Sequence, residues 1–251
     1  MKIVVIGGTG RIGSRLVASL KHLGHEAIPA APETGVNTLT GEGLAEVLED
    51  AAVVVDLANS PSFADEAAMA FFQTAGSNLL AAEEAAGVGH HIALSIVGAD
   101  RLPDSGYLRA KVAQEDLIKA SPISYSLIRS TQFLPFIGGI IESALVDGEI
   151  RLSPALMQPI HPDEVVDALA AVATGVPLNR TIEIGGPEAI QINRFAEAYL
   201  SAKSDPRRVI ADPSAPYFGA VLEQGSLTPG PGARLGKITL EDWLREAIPA
   251  D

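Results

Sequence analysis

The sequence predicts an α/β fold in which a doubly wound parallel sheet carries helices on both faces, followed by a small C-terminal lobe. An apolar, β-branched run at 2–6 is typical of a strand buried on both faces. A glycine-rich turn at 7–13 leads from this run into a helical pattern, and strand and helix patterns then alternate up to residue 130. Regular alternation of this kind indicates parallel strands joined by right-handed crossovers.

Apolar periodicity and the residues that stop each pattern place the elements of the first half. The Ala- and Glu-rich stretch at 65–86 is helical with Gly87 as its stop, and Ser121-Pro122 ends the next helix. In such a sheet, ligands bind at the carboxyl ends of the strands where the strand order reverses. The expected strands are 2–6, 26–30, 52–57, 92–95 and 124–129, and the expected helices are 11–24, 44–49, 65–86 and 107–119.

After residue 130 the alternation loosens, because prolines and glycines interrupt the pattern. We predict that residues 1–135 form a dinucleotide-binding core and that residues 136–251 form a substrate-side lobe. The expected elements of this lobe are helices at 137–146, 162–173, 192–202 and 240–247, and a strand at 181–184 that rejoins the main sheet.

The glycines between the first strand and the first helix form a G-x-x-G-x-x-G pattern. Gly7 allows the tight turn, Gly10 lets the backbone approach a pyrophosphate, and Gly13 lets the helix pack against the strand. The free N–H groups and the positive end of the helix dipole then hold the phosphates. The pattern therefore predicts a bound dinucleotide, and a glycine-rich loop without a ligand is the alternative.

The composition is that of a globular enzyme and argues against several other classes. A chain of 251 residues with 47% hydrophobic content can bury a large core. The net charge of −13, without a basic stripe, argues against nucleic-acid binding. The chain has no cysteine, and its five histidines lack the spacing of metal ligands, so we expect no metal. The N-terminus does not resemble a signal peptide, and no stretch approaches the ~20 apolar residues of a membrane span, so we expect a cytoplasmic protein. The expected partner is a small-molecule substrate.

Tyr107 and Lys111 lie at i and i+4, one helical turn apart on the same face. A tyrosine has an unperturbed pKa near ~10, so it exchanges a proton poorly at neutral pH unless a nearby cation stabilises its phenolate. Lys111 can supply that cation and can also reach a ribose hydroxyl. The alternative is a surface tyrosine stacked on the lysine stem, and we favour a catalytic pair because the chain carries the glycine pattern.

Several motifs occur in the order typical of a known family: the loop at 7–13, the segments 78–82 and 93–98, the run from Gly106 to Lys111, and 127–129. With these motifs the chain resembles the atypical short-chain dehydrogenases/reductases of the NmrA-like group, most clearly through residue 135. The resemblance implies a Rossmann fold, a bound nicotinamide dinucleotide, Tyr107 as the acid/base and Lys111 as its electrostatic partner.

The expected cofactor contacts come from the glycine loop, from the ends of the strands and from the Tyr107 helix. Asp56 is either a buried cofactor contact or a cap on the next loop. The expected cofactor-binding residues are Gly7, Thr9, Gly10, Arg11, Ile12, Gly13, Ala31, Leu57, Ala58, Asn59, Ser95, Lys111, Thr131 and Phe133, and the expected catalytic residues are Tyr107, Lys111 and Ser95.

The chain departs from the pattern of the family at the group that orients the substrate. The family places a Ser or Thr beside the tyrosine, but here that position falls on Val97, and Ser95 lies two residues earlier. Ser95 either touches the nicotinamide end of the cofactor or simply closes a strand. For Asn78, a packing or capping role is favoured over an active-site amide.

The choice between NAD and NADP stays open. An acidic residue after the second strand binds the ribose diol of NAD, whereas an arginine favours NADP. Glu33 lies near the required distance but follows a proline, and Arg11 is a nearby cation that can meet a 2′-phosphate.

The sequence therefore predicts an NAD(P)-dependent oxidoreductase that moves a hydride to or from a small carbonyl or alcohol. The alternatives are a non-enzymatic dinucleotide sensor and an epimerase or dehydratase of the same fold. Phe133, Phe136 and the helix at 137–146 suggest an apolar wall for an uncharged or partly apolar substrate, although core packing explains these residues equally well.

Overall fold

A seven-stranded parallel sheet organises the computed structural model, which describes residues 1–247. From one edge to the other, its strands are β2 (Glu26–Ala30), β1 (Lys2–Ile6), β3 (Ala51–Asp56), β4 (His90–Ile96), β5 (Tyr125–Ser130), β9 (Arg180–Gly185) and β12 (Arg234–Leu235). The chain moves from β1 to β2 on one side and then returns to place β3 on the other side of β1. The order therefore reverses between β1 and β3, which is where a doubly wound sheet binds ligands.

Helices connect these strands, as the alternating pattern predicts. The expected bounds of α3, α6, α7 and α8 agree with the structure, and α3 ends directly before Gly87. The helices are α1 (Arg11–His22), α2 (Leu44–Leu48), α3 (Asp65–Ala86), α4 (Gly106–Ala120), α5 (Ile137–Ser143), α6 (Pro162–Ala173), α7 (Ile192–Ala202) and α8 (Leu240–Ala247). The predicted α/β fold with a doubly wound parallel sheet is confirmed.

The chain divides into two compact units, and each contains several separate segments. The first unit comprises Met1–Ser95, Gly106–Arg129 and Asp163–Ile182. The second comprises Ile96–Ser105, Ser130–Pro162 and the chain from Glu183 onward. The domain boundary expected at residue 135 divides the chain into two consecutive parts, whereas each compact unit contains several separate segments. The expected boundary stays a prediction.

The core of the first unit shows why the apolar runs form strands. Val4 and Val54 are fully buried on adjacent strands and pack with Leu48 of α2 and Leu79 of α3. Burying a side chain of this kind stabilises the fold by about 1.5–3 kcal/mol. This cluster holds β1 and β3 side by side, and their carboxyl ends therefore open at the same edge of the sheet.

The second unit contains two small sheets that the sequence analysis did not predict. The expected helix at 137–146 is wrong at its end, because α5 stops at Ser143. Asp147 and Gly148 both have positive φ, and such a two-residue turn matches the twist of paired strands better than it continues a helix. The strands of the small sheets are β6 (Leu145–Val146), β7 (Glu149–Leu152) and β11 (Val209–Ala211), and β8 (Leu156–Met157) with β10 (Ile190–Gln191).

Two further observations concern residues 1–247 only. Within that range no helix has the length and apolar character needed to cross a lipid bilayer. Within the same range, no group of three or more His, Cys, Asp or Glu side chains is arranged to hold a metal ion.

Candidate functional site

The glycine loop approaches its neighbours so closely that side chains would not fit. A Cβ on Gly7, whose φ is +71°, would lie 2.9 Å from the carbonyl oxygen of Leu57. A Cβ on Gly8 would lie 2.6 Å from Cα of Pro29, and one on Gly13 would overlap the carbonyl oxygen of Gly7. The glycine loop therefore lies directly against β2 and the loop after β3, and the first turn of α1 lies directly against the glycine loop.

Gly10 differs from the other glycines of the loop, because the packing of the protein does not require it. A Cβ there would meet only the carbonyl oxygen of Gly7, at 3.2 Å, and the residue is exposed. Gly10 is also the N-cap of α1, without a side-chain cap and without an acidic residue in the first turn. The N-terminal N–H groups of this 12-residue helix are thus open to an anion, as a phosphate-binding turn requires.

The loop after β3 runs beside the glycine loop. The N–H of Leu57 donates to the carbonyl oxygen of Ile6, which extends the sheet by one residue. Oδ1 of the buried Asp56 accepts a hydrogen bond from the N–H of Ala58 at 2.9 Å. Of the two roles considered for Asp56, the structure therefore shows the cap on the next loop.

The residues that bear on cofactor choice lie on the exposed rim of the glycine loop. Oγ1 of Thr9 donates to Oε2 of Glu33 at 3.4 Å, so Glu33 turns toward the loop despite the preceding Pro32. The N–H of Ala31 donates to Oγ1 of Thr34, which fixes the turn that carries Glu33. Arg11 is exposed on the same loop. An acidic and a basic side chain are therefore both available beside the turn.

Tyr107 lies in the first turn of α4, where α4 packs against α3. Oη of Tyr107 donates to Oδ1 of Asn59 at 2.7 Å. The edges or faces of Phe63 and Phe72 meet its ring, with centroid distances of 5.0 and 6.1 Å. Burial raises the pKa of the Tyr107 phenol to about 12, because the phenolate loses its hydration. The phenol thus carries its proton at neutral pH and lies against the loop after β3.

Lys111 lies one turn further along α4, with only 4% of its surface exposed. Its ammonium donates to the carbonyl oxygen of Leu94 at 2.9 Å and to Oε1 of Gln114, and it lies 4.6 Å from the centre of the Phe72 ring. Burial lowers the pKa of Lys111 to about 8, against the charges of Asp56 and Glu115, which favour the ammonium. Burial is the main influence on the pKa of Tyr107 in this structure, and stabilisation of its phenolate by Lys111 stays a prediction.

Ser95 belongs to a buried polar cluster. Its hydroxyl donates to Oε1 of Glu115 at 2.7 Å, and the Arg129 guanidinium binds both oxygens of the same carboxylate at 2.8 Å. Burial would raise the pKa of Glu115, but the hydrogen bonds from Arg129 and Ser95 outweigh it and hold the pKa below its usual value. Of the two roles considered for Ser95, this geometry fits the structural one, and a contact with the nicotinamide stays a prediction.

Comparison with solved structures finds the same architecture in proteins of low sequence identity. A short-chain dehydrogenase/reductase superfamily protein from Agrobacterium tumefaciens, solved with bound NAD, superposes with a TM-score of 0.73 at 16% identity, covering 99% of this chain and 96% of that one. The NAD complex of UDP-glucose 4-epimerase from Thermus thermophilus gives 0.70 at 18% identity, with 90% and 92% covered. The NADP complex of dTDP-4-dehydrorhamnose reductase from Bacillus anthracis gives 0.70 at 14% identity, with 98% and 96% covered.

The chain therefore has a Rossmann fold, like that of these NAD- and NADP-bound structures. No protein-family model matches the sequence, and no curated protein matches it either. The fold is thus shown by the shape of the chain, and the finer resemblance to the NmrA-like group stays a prediction.

Two residues that the sequence analysis considered for the site, Asn78 and Val97, take structural roles here. Nδ2 of Asn78 donates to the carbonyl oxygens of Thr38 and Leu39, both at 2.9 Å, and fixes that loop to α3. This agrees with the packing role favoured for Asn78. Val97, at the position expected to orient a carbonyl, is fully buried, and its N–H donates to the carbonyl oxygen of Ser130.

The last expected cofactor contacts belong to the second unit. Thr131 is buried and its N–H donates to the carbonyl oxygen of Ile184, while its Oγ1 has no hydrogen-bond partner among residues 1–247. Phe133 is half-buried and forms a bridge with Ile160. Their contacts with a cofactor stay predictions.

Sequence reasoning missed the residues that surround Tyr107 and Lys111. Gln114 and Glu115 follow Lys111 by three and four positions, so helical spacing placed them near the lysine face. Phe72 and Gly8 gave no comparable signal, because an apolar helix residue and one more glycine fit many roles.

The close packing of Gly13 generates a stability prediction. Replacing Gly13 with Ala forces its Cβ into the backbone of Gly7 and Gly8, so we expect the free energy of unfolding to fall by at least about 2 kcal/mol, measured by urea denaturation. Gly76→Ala is the control: its Cβ would meet only Cδ1 of Leu117 at 3.5 Å, and alanine favours the helix by up to about 1 kcal/mol. A Gly13→Ala protein as stable as the wild type contradicts the packing described here.

Proposed function

We propose that this protein is an NAD(P)-dependent oxidoreductase that transfers a hydride to or from a small carbonyl or alcohol. The observation that carries the proposal is the shared loop after β3. Leu57 packs against Gly7 of the phosphate-binding turn, and Asn59, two residues later, accepts the Tyr107 hydrogen bond. A dinucleotide site and a proton donor thus meet at the carboxyl edge of the sheet, beside the reversal of strand order.

The glycine loop fits the pyrophosphate of a dinucleotide. The open side of Gly10 leaves room for a phosphate, and the uncapped N-terminus of α1 offers N–H donors to it. The three similar structures were solved with NAD or NADP bound. Glu33 turns toward the loop and is placed to accept hydrogen bonds from ribose hydroxyls, which supports NAD as the preferred cofactor.

The chain supplies the proton and the dinucleotide supplies or accepts the hydride when bound. Tyr107 donates its phenolic proton to the carbonyl oxygen of the substrate, and its raised pKa keeps that proton in place at neutral pH. Lys111 carries the positive charge that stabilises the resulting phenolate. Its donors are directed at Leu94, Gln114 and the Phe72 ring, so contact with a ribose requires release of one of these partners.

The substrate is a small molecule with a carbonyl or hydroxyl group. Two of the similar structures are named as a UDP-glucose 4-epimerase and a dTDP-4-dehydrorhamnose reductase. Transient oxidation of a sugar hydroxyl and reduction of a sugar carbonyl are therefore two forms that this chemistry can take. The half-buried Phe133 and the 39% exposed Phe136 provide apolar surface in the second unit. We assign the protein to the cytoplasm.

A dinucleotide-binding regulator is the second candidate. It is favoured by the engagement of Ser95 with Glu115 and by the buried valine at position 97, since neither offers a free hydroxyl to orient a carbonyl. The two candidates differ in turnover and share cofactor binding.

Cofactor binding by the glycine loop is tested by Gly10→Val. The branched side chain fills the space expected for the pyrophosphate, so we expect loss of NADH and NADPH binding in a calorimetric titration. Because a Cβ at this position meets only Gly7, the variant should keep a wild-type thermal unfolding midpoint within a few degrees. A folded variant with unchanged affinity contradicts the site.

Cofactor preference is tested at Glu33 and Arg11. Glu33→Ala should weaken NADH binding, and Arg11→Ala should weaken NADPH binding more than NADH binding, each by about 1–3 kcal/mol or roughly 5- to 150-fold in Kd. Arg15→Ala, one turn along α1 and paired with Asp163, is the control for the general effect of removing a cation. Equal losses for both cofactors in the Arg11 variant would indicate general attraction to the pyrophosphate.

Proton transfer is tested by Tyr107→Phe, assayed by the absorbance of NADH and NADPH against a panel of carbonyl compounds and quinones. The variant keeps the aromatic packing against Phe63 and Phe72, so cofactor affinity should survive while turnover falls by about 10²–10⁴. Tyr199→Phe, in a tyrosine stacked on Trp243, is the control. Undiminished turnover in the Tyr107 variant rules out this mechanism, and tight binding without any wild-type turnover favours the regulator.

A further inference from the structure

A continuous series of buried hydrogen bonds joins Lys111 to the loop after β3. The ammonium of Lys111 donates to Oε1 of Gln114, and Nε2 of Gln114 donates to Oδ2 of Asp56 at 2.8 Å. Oδ1 of Asp56 accepts from the N–H of Ala58 at 2.9 Å. All three side chains are buried, with exposures of 3–5%. We call this series the 111–114–56 relay.

The chemistry of its ends fixes the direction of every bond in the relay. An ammonium can only donate and an ionised carboxylate can only accept, so the amide between them has one satisfactory orientation, with oxygen toward Lys111 and nitrogen toward Asp56. If the Gln114 amide were reversed, its nitrogen would face the Lys111 ammonium and its oxygen would face the Asp56 carboxylate. Both hydrogen bonds would be lost, which is costly for buried polar groups. The hydrogen bonds of the relay therefore run in one direction only, from Lys111 through Gln114 to Asp56.

The relay also closes a ring with Tyr107. Asn59 directly follows Ala58, and its Oδ1 accepts from Oη of Tyr107 at 2.7 Å. Tyr107 and Lys111 lie on successive turns of α4, so each is fixed to the loop at 56–59 at a separate point. The loop that packs against Gly7 is thus held by the same helix that carries the catalytic pair.

We infer that Gln114 and Asp56 are positioning residues, which hold Lys111 charged and fix the loop at 56–59 in register with Tyr107 at the dinucleotide site. This inference rests on the proposed function. Neither residue touches the reacting atoms, and both act through Lys111 and the backbone of Ala58.

Several charged groups surround Lys111 and enter any titration of it. Asp56 at the end of β3 and Glu115 on α4 both favour the ammonium form, and Glu115 is itself paired with Arg129 of β5. The buried ion pair of Glu83 on α3 with His91 on β4, at 2.9 Å, interacts with Asp56. Removing the Asp56 charge should therefore lower the pKa of Lys111 below about 8, so that the ammonium loses its proton at a lower pH.

A charge-exchange pair of variants tests the relay. Asp56→Asn places an amide nitrogen opposite either Nε2 of Gln114 or the N–H of Ala58, and Gln114→Glu places two carboxylates 2.8 Å apart, so each single change breaks the relay. The double variant Asp56→Asn with Gln114→Glu restores it, because the amide of residue 56 then donates to a carboxylate that also accepts from Lys111. Gln73→Glu with Asp116→Asn, two exposed positions on α3 and α4, is the matched control.

Two readouts separate this inference from the proposed function. In cofactor-free protein, ¹⁵N NMR of the lysine side chains follows the pH at which the buried ammonium loses its proton. We expect Asp56→Asn to lower that midpoint by about one pH unit or more and the double variant to return it to the wild-type value or above. In NADH titrations, each single change should weaken binding roughly tenfold, and the double change should recover it to within about threefold.

The outcomes are distinct. A folded double variant that is impaired as strongly as the singles in both readouts overturns the inference, as does a wild-type midpoint in Asp56→Asn. If either single variant fails to fold, the double variant alone decides, since it must fold with a wild-type midpoint and affinity. Absence of both NADH and NADPH binding by the wild type overturns the proposed function, and the NMR midpoints still report on the relay.

Discussion

The site depends on a close approach of backbone to backbone at the turn between β1 and α1. Gly7, Gly8 and Gly13 each lie where a Cβ would meet the main chain of β1, β2, the loop after β3 or the turn itself. This approach places the N-terminus of α1 over the carboxyl ends of β1 and β3, where the strand order reverses. Gly10, in contrast, is not required to be a glycine by the packing of the protein. Its lack of a side chain instead leaves open the space outside the turn.

The helix α4 carries two kinds of chemistry on one face. Tyr107 is oriented by neutral contacts, namely the Asn59 amide and two aromatic rings, and it keeps its proton because it is desolvated. Lys111 is oriented by Gln114, the Leu94 carbonyl and the Phe72 ring, and its charge is retained by Asp56 and Glu115 in spite of burial. Burial thus acts in opposite senses on the two pKa values, and the carboxylates limit its effect on the lysine.

Much of this architecture could be predicted from the sequence, because periodicity and glycine spacing are local signals. The strand at 2–6, the helix at 65–86 with its stop at Gly87, and the turn at 7–13 all follow from such patterns. Helical spacing places Gln114 beside Lys111. The partner of Ser95 and the Phe72 ring against Lys111 depend instead on which side chains of different elements meet in the core, which no spacing along one element reveals. The Asp147-Gly148 hairpin was predictable from its turn residues, but the apolar pattern around it favoured a longer helix.

The most direct test of this account is hydrogen–deuterium exchange of the wild-type protein with and without NADH. The account predicts slower exchange on NADH binding at the first turn of α1, in peptides covering 7–17, and in the loop at 56–60. The core strand β4 should exchange equally slowly in both states, because its backbone is already buried and paired. Slower exchange elsewhere with no change at 7–17, or no change anywhere at saturating NADH, would contradict the claim that the glycine turn is the dinucleotide site.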